Sequence, residues 1–113
     1  MQQLNELNNK QHNKQYFNMK LIILESPYAG FIERNINYAR QCLKDSLSRG
    51  EAPIASHLLY TQVLNDQDPE ERDLGIAAGL AWRDAAEAQV FYIDFGISSG
   101  MKAAIEAAKK KQY

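Results

Sequence analysis

Apolar positions along the chain form three short strand-like runs, and each run is followed by a longer stretch with helical signals. The runs are Leu21–Leu24, Pro53–Tyr60 and Val90–Ile93. From Met19 the order of predicted elements is therefore strand, helix, strand, helix, strand, helix. This alternation is typical of βαβ units, and it predicts an α/β domain with a small parallel sheet.

The predicted helices have distinct start and stop signals. The first spans residues 31–49 and is closed by Gly50, since apolar side chains recur every three or four positions at Ile32, Ile36, Ala39, Leu43 and Leu47. Cys42 lies on that helix face and is interpreted as a small buried hydrophobe. The last helix carries a buried stripe of Met101, Ile105 and Ala108, and Lys109–Lys111 complement its negative end.

The second helix has the clearest start in the chain. Asp68 is placed to cap the free amides, Pro69 suits the first helical position, and two glutamates follow. The pattern predicts a helix from there to about Glu87. Gly75 and Gly79, four residues apart, are interpreted as a close contact between this helix and the sheet.

Residues 1–18 differ in composition from the rest of the chain, because nine of them are Asn or Gln. Such a segment buries little apolar surface. It is either a disordered leader ahead of a single domain of residues 19–113 or a short helix that docks through Leu4 and Leu7 on a neighbouring surface.

Composition and charge exclude several classes of protein. With 113 residues and 45 % hydrophobic side chains, the chain can build one core. Thirteen basic and fourteen acidic side chains give a net charge of −1 and are interspersed, which argues against a nucleic-acid polymer or a membrane surface as partner. The single cysteine and the lack of a secretory or membrane-spanning run predict a cytoplasmic protein.

Two strand-to-helix corners carry the candidate chemistry: residues 25–30 and residues 94–101. Parallel strands end at the same sheet edge, where open α/β sheets bind ligands. Helix N-termini there favour a small anionic or ribose-bearing ligand. The candidate ligand-binding residues are Ser26, Pro27, Tyr28, Gly30, Asn35, His57, Asp94, Gly96, Ser98, Ser99, Gly100 and Met101. The alternative without a ligand is that the Gly, Ser, Pro and Asp residues serve turns and caps, that Tyr28 packs, and that Asn35 is a solvated polar residue.

No cofactor or metal site is expected from the sequence. His57 is placed in the second predicted strand, as a structural residue or a base. A second histidine at a metal-ligand spacing is missing, because His12 lies in the leader.

Several motifs together resemble a known group of proteins. They are Glu25-Ser-Pro-Tyr-Ala-Gly, Arg49-Gly-Glu-Ala-Pro, Ser56-His-Leu-Leu-Tyr-Thr-Gln, Asp68-Pro-Glu-Glu-Arg, Leu74-Gly-Ile and Asp94-Phe-Gly-Ile-Ser with Gly100-Met101. Over about residues 19–108 the chain resembles small uncharacterised proteins of phages and prophages that are similar to nucleoside 2-deoxyribosyltransferases. The resemblance implies a three-layer Rossmann-like fold, helices on both faces of the sheet, and a homo-oligomer.

The resemblance also implies a catalytic position that this chain does not fill. The transferases use a glutamate nucleophile in a Ser-x-Gly-Ala-x-x-Glu pattern, and the same register here gives Ser98, Gly100, Met101 and Ala104. The nearest carboxylate, Glu106, is two residues further on and is turned by about 200° around the helix.

Three functions follow as hypotheses. The first is a binding protein for a small nucleotide-type ligand, which in a phage could sequester a host immune signal. The second is a nucleoside N-glycosidase or deoxyribosyltransferase in which Glu25, Asp94 or Glu106 supplies the carboxylate. The third is a protein-interaction domain whose edge strands recruit a partner.

Overall fold

The structure is a computed structural model and describes residues 18–111. Strands β1 (Lys20–Glu25), β2 (Glu51–Ile54) and β3 (Ala88–Phe91) alternate with helices α1 (Ile32–Ser48), α2 (Pro69–Ala81) and α3 (Ser99–Lys111). Two 3₁₀ turns, Ser56–Leu58 and Tyr60–Gln62, follow β2, and one, Trp82–Asp84, follows α2. The leader expected over residues 1–18 falls, except for Asn18, outside the described residues.

The three strands form a parallel sheet in the order β2-β1-β3. Lys20 is opposite Glu51 in β2, and Ile22 is opposite Ala88 in β3. The predicted α/β class with a small parallel sheet is thus confirmed, and the layout is compatible with a Rossmann-like fold. Because β1 is the central strand and all three strands are parallel, the loops after β2 and β3 lie on either side of the loop after β1 at the same edge of the sheet.

The core lies between β1 and α1. Ile22 and Leu24 point to one face and are 1 % and 0 % exposed, against Tyr38 and Cys42 of α1. The buried position of Cys42 agrees with its predicted role. Since side chains alternate along a strand, Leu21 and Ile23 point to the other face.

That second face is only partly covered. Leu21, Ile23 and Trp82 line a shallow apolar pocket there. The Arg83 guanidinium donates to the carbonyl of Ala107 at 3.1 Å and so ties α3 to the turn after α2.

Two strand predictions need correction. The second strand was expected over Pro53–Tyr60 but ends at Ile54, and the chain continues in 3₁₀ turns. His57 therefore lies in a turn and not in a strand. The third strand was expected over Val90–Ile93 but spans Ala88–Phe91, with Ile93 56 % exposed beyond it. In both cases the apolar run continues beyond the residue at which strand pairing ends. The periodicity of apolar residues does not show where that end lies.

The buried face of α1 also differs from the prediction. Ile32 and Leu47, expected inside, are 45 % and 53 % exposed. The side chains that face the core are Asn35, Tyr38, Ala39, Cys42 and Ser46. Two of these are polar, and each has hydrogen-bond partners that compensate its burial; Ser46 donates to Glu51 Oε1 at 2.7 Å.

Helix α2 begins as predicted and ends early. The Asp68 carboxylate accepts from the Glu70 amide at 3.0 Å, which confirms the predicted cap. The helix stops at Ala81 instead of Glu87. Gly75 and Gly79 do not contact the sheet: Gly75 lies against Tyr60 and Leu64, and Gly79 against Ser56. The glycines thus fit α2 closely onto the 3₁₀ segment after β2.

Candidate functional site

The two predicted corners lie side by side at the carboxyl edge of the sheet. The Tyr92 amide, just after β3, donates to the Glu25 carbonyl at the end of β1 at 3.0 Å. Gly30 and Gly96 have φ of +93° and +85°, a conformation that other residues rarely adopt. These glycines let each chain turn sharply from its strand toward the next helix.

Ser26 and His57 form a hydrogen-bonded pair at this edge. Ser26 Oγ lies 2.7 Å from His57 Nε2, and Ser26 is 6 % exposed. Ser26 follows β1 directly, and His57 reaches it because β2 ends early and the chain turns there in a 3₁₀ segment. Strand adjacency therefore brings together two predicted site residues that are 31 positions apart.

Burial keeps the imidazole of this pair neutral. It lowers the pKa of His57 to about 4, because the charged ring would lose its hydration. A neutral Nε2 without its proton can accept from the Ser26 hydroxyl. Within residues 18–111, no carboxylate contacts the other ring nitrogen, so the pair lacks the acidic member of a hydrolytic triad.

Tyr28 and Asn35 shape the turn after β1. The Tyr28 ring stands edge-on to the His57 ring, with centroids 6.4 Å apart, and the neighbouring Pro27 is buried. Asn35 is 1 % exposed, and its Nδ2 donates to the carbonyls of Tyr28 and Ala29 at 2.9 and 3.0 Å. Both amide protons are thereby used inside the protein, so Asn35 supports the turn instead of offering a donor to a ligand.

Asp94 is held at the second corner by a residue of α1. The Tyr38 hydroxyl donates to Asp94 Oδ2 at 2.6 Å and accepts from the Asp94 amide at 3.0 Å. Burial and this carboxylate raise the pKa of Tyr38 far above its ordinary value, so the hydroxyl keeps its proton. Asp94 itself is exposed, and Oδ1 has no partner in the described part of the chain.

The corner before α3 is largely engaged in capping. Ser98 Oγ accepts from the Met101 amide at 3.2 Å, while Ser99 and Gly100 are exposed at the start of the helix. The side chain of Met101 is 2 % exposed, so it packs in the core. The hydrogen bond of Ser98 is therefore the kind that caps a helix without any ligand, as the sequence allowed for this corner.

The carboxylates considered for catalysis occupy different environments. Glu106 is on the solvent side of α3, where it pairs with Lys109 at 3.7 Å, and Ala104 faces inward at 8 % exposure. Glu25 is partly buried beside Gln89 of β3. Burial raises the pKa of Glu25, and the contact with Gln89 and the charge of Arg83 oppose that rise.

Three residues at this edge were not among the sequence candidates. Arg34 lies with its guanidinium carbon 4.8 Å from the Phe31 ring centroid and 4.3 Å from that of Phe95. Phe31 directly follows the first corner, and Phe95 lies in the second. The only signal in the sequence is that each directly follows or precedes a turn glycine, Gly30 or Gly96.

Residues 18–111 contain neither a cluster of metal ligands nor a helix that could span a membrane. No group of three or more His, Cys, Asp or Glu residues is close enough there to hold a metal ion. No helix in this part of the chain has the length and apolar character needed to cross a membrane.

Comparison with known proteins identifies a family for this chain but no individual relative. No curated protein and no solved structure matches the chain. Residues 20–113, which include every element of the sheet and both corners, match the family described as "Domain of unknown function (DUF7768)". The chain belongs to that family.

Proposed function

We propose that this chain binds a small nucleotide-type ligand at the carboxyl edge of its sheet. The ligand is a nucleoside phosphate, a cyclic nucleotide or an ADP-ribose-derived molecule. The observation that carries the proposal is the adjacency of the two corners, which brings the Ser26–His57 pair and Asp94 to one edge of the sheet. Open α/β sheets bind ligands at this edge.

The chemistry of the edge suits a sugar-bearing ligand. Asp94 Oδ1 is available to accept hydrogen bonds from ribose hydroxyls, while Tyr38 fixes the other carboxylate oxygen. Ser26 can donate or accept, and the neutral His57 adds no charge beside an anionic ligand. Preorganised polar groups of this kind favour tight binding, because little rotamer freedom remains to be lost.

The proposal also covers the fold family of the domain and its biological role. The domain is a three-layer, Rossmann-like relative of nucleoside 2-deoxyribosyltransferases, and in a phage it sequesters a host immune nucleotide signal in the cytoplasm of the bacterium. Sequestration needs binding without turnover. The burial of Ala104 at the nucleophile position, with Glu106 on the solvent side, supports such a role.

Isothermal titration against nucleoside mono- and diphosphates, cyclic nucleotides and ADP-ribose tests the proposal. We expect at least one of them to bind the wild type, and Asp94→Asn to weaken binding by about 10-fold or more, since hydrogen bonds to a carboxylate are worth ~1.5–3 kcal/mol. Asp66→Asn, an exposed change in the loop before α2, is the matched control and should leave affinity unchanged. No binding across the panel would refute the proposal.

One observation favours a second candidate, an N-glycosidase. Glu25 ends β1 at this edge of the sheet and is partly buried, and burial raises the pKa of its carboxyl, as a proton donor to a departing base requires. Incubation with deoxynucleotides and chromatography of freed base tests this activity. Base release that is abolished by Glu25→Gln would replace sequestration with hydrolysis as the function; intact nucleotides after long incubation would exclude it.

The homo-oligomer remains part of the proposal. Helix α2 exposes Ile76 and Leu80, four residues apart on the same face, at 54 and 42 %, a surface that a second copy would cover. Light scattering on the purified protein should give a mass of at least twice 12.9 kDa. A monomer at high protein concentration would contradict this part of the proposal.

A further inference from the structure

We infer that Arg34, with Phe31 and Phe95, forms the part of this edge that recognises the phosphate and the base of the ligand. This inference rests on the proposed function and assigns its substrate class: a phosphate carried by an aromatic base. We call these three side chains the arginine–aromatic cluster.

The cluster joins the two corners. Phe31 precedes α1, Phe95 lies in the corner after β3, and the Arg34 guanidinium contacts both rings at 4.8 and 4.3 Å. Phe95 is also placed against Tyr38, with centroids 4.6 Å apart. The same residue that fixes Asp94 therefore supports one ring of the cluster, so cluster and carboxylate lie in one site.

Arg34 carries a positive charge that no acidic side chain of residues 18–111 pairs with. In the described residues it forms no ion pair, and its polar contacts are two donations to Asn35 Oδ1, from Nε at 3.4 Å and Nη2 at 3.2 Å. An arginine has five N–H donors, so three remain for a ligand. Arginine pairs with phosphate through two parallel hydrogen bonds, which a fixed planar guanidinium favours.

Asn35 explains why the guanidinium is fixed. It is buried, its amide protons are bound to the turn after β1, and its carbonyl oxygen accepts from Arg34. The orientation of Arg34 is thus tied to the fold of the corner that contains Ser26. Asn35 is a positioning residue for the anion site.

The two rings supply an aromatic surface beside the charge. Phe31 is 73 % and Phe95 47 % exposed, so both rings present an aromatic surface that a ligand can reach. A nucleobase stacks on an aromatic ring with a gain that does not depend on its hydrogen-bonding edge. A guanidinium that forms no ion pair within residues 18–111, combined with exposed rings, therefore fits a nucleotide better than a sugar phosphate without a base.

Paired titrations of nucleosides and their 5′-phosphates test the inference. Adenosine, guanosine and uridine are each compared with the monophosphate on the wild type and on Arg34→Met, which keeps an unbranched chain against the rings and removes the charge. We expect the wild type to prefer the monophosphate by about 10-fold or more, and the variant to lose that preference. Added salt should weaken monophosphate binding only in the wild type.

Two further variants separate charge from stacking. Arg40→Met removes an exposed arginine from the same helix and should keep the phosphate preference. Phe95→Leu should weaken nucleoside and monophosphate by the same factor, about 5-fold or more.

Each outcome decides a different claim. If nucleotides bind and depend on Asp94, but Arg34→Met keeps the phosphate preference, the inference is wrong and the proposed function stands. If the wild type binds none of the six compounds and none of the larger nucleotides, both are wrong. A phosphate preference that disappears in Arg34→Met and persists in Arg40→Met supports both.

Discussion

Tyr38 and Asp94 exchange two hydrogen bonds across 56 positions of the chain: the phenol donates to Oδ2 at 2.6 Å and accepts from the Asp94 amide at 3.0 Å. The tyrosine belongs to the first crossover helix and the aspartate to the corner after the last strand. One hydroxyl therefore fixes both the backbone and the side chain of a corner that lacks regular structure. The candidate site depends on this contact for its shape.

Tyr38→Phe should lower both stability and affinity. It leaves the Asp94 amide without its acceptor, and the unfolding free energy should fall by ~1–3 kcal/mol in urea titrations. Tyr92→Phe is the matched control: its hydroxyl contacts Asp45 and Arg49 at an exposed position, so a loss below ~1 kcal/mol and unchanged nucleotide affinity are expected. Equal effects of the two variants would show that the Tyr38–Asp94 contact has no special role.

Stability should fall with acid because His57 is buried as the neutral ring. Its pKa is about 4 in the folded protein and 6.5 in the unfolded chain, so between these values the unfolded state binds more protons. The contribution is fully present above pH 6.5 and is lost as the pH falls toward 4, by ~3 kcal/mol at most.

Comparison of variants isolates this contribution from the carboxylates that titrate nearby. Chemical unfolding of the wild type and of His57→Gln at several pH values should give a difference that shrinks in acid. Ser26→Ala should keep the wild-type slope, because burial and not the hydroxyl causes the shift. A slope that changes in Ser26→Ala as much as in His57→Gln would assign the effect to the hydrogen bond.

Gly79→Ala should destabilise the protein although alanine favours a helix. A Cβ at this position would lie 2.7 Å from Ser56 Oγ and 3.0 Å from Ser56 Cβ. The hydroxyl can rotate away but Cβ cannot, so overpacking of ~1–3 kcal/mol should exceed the helical gain of ~1 kcal/mol.

Gly75→Ala is the matched change one turn earlier in the same helix. Its Cβ would meet Leu64 Cδ1 at 3.3 Å, the end of a flexible side chain that can move. This variant should be neutral or more stable by up to ~1 kcal/mol. Thermal unfolding of both variants measures the difference, and a Gly79→Ala protein as stable as Gly75→Ala would contradict the close fit of α2 on the turn at Ser56.

Asp68→Ala should shorten or loosen α2 at its start. The carboxylate accepts from the Glu70 amide at 3.0 Å, and loss of such a cap costs ~0.5–2 kcal/mol. Asp66→Ala removes a carboxylate that lies in the same loop but does not cap the helix, and it should change stability by less than ~0.5 kcal/mol. Urea unfolding distinguishes the two, and equal losses would mean that the cap contributes nothing measurable.

The sequence by itself determined the class of fold and predicted where the candidate site lies. Strand runs, helical spacing and the cap at Asp68 are local signals, since each depends on residues within one or two turns of each other. A parallel sheet then requires the corners after β1 and β3 to share an edge. Ser26 and Asp94 could be selected on that basis alone, whereas His57 was predicted to lie in a strand and reaches this edge because β2 ends at Ile54.

Only the tertiary structure decided which side chains meet at that edge. The buried face of α1 includes two polar residues, Asn35 and Ser46, whose hydrogen bonds are satisfied inside the protein. The pattern of apolar residues predicts a buried face that is shifted by one residue along the chain. The contacts of Arg34 with Phe95 and of Tyr38 with Asp94 join segments about 60 positions apart in the chain. Such contacts depend on how α1 packs across the sheet, and periodicity carries no information about partners that are distant in sequence.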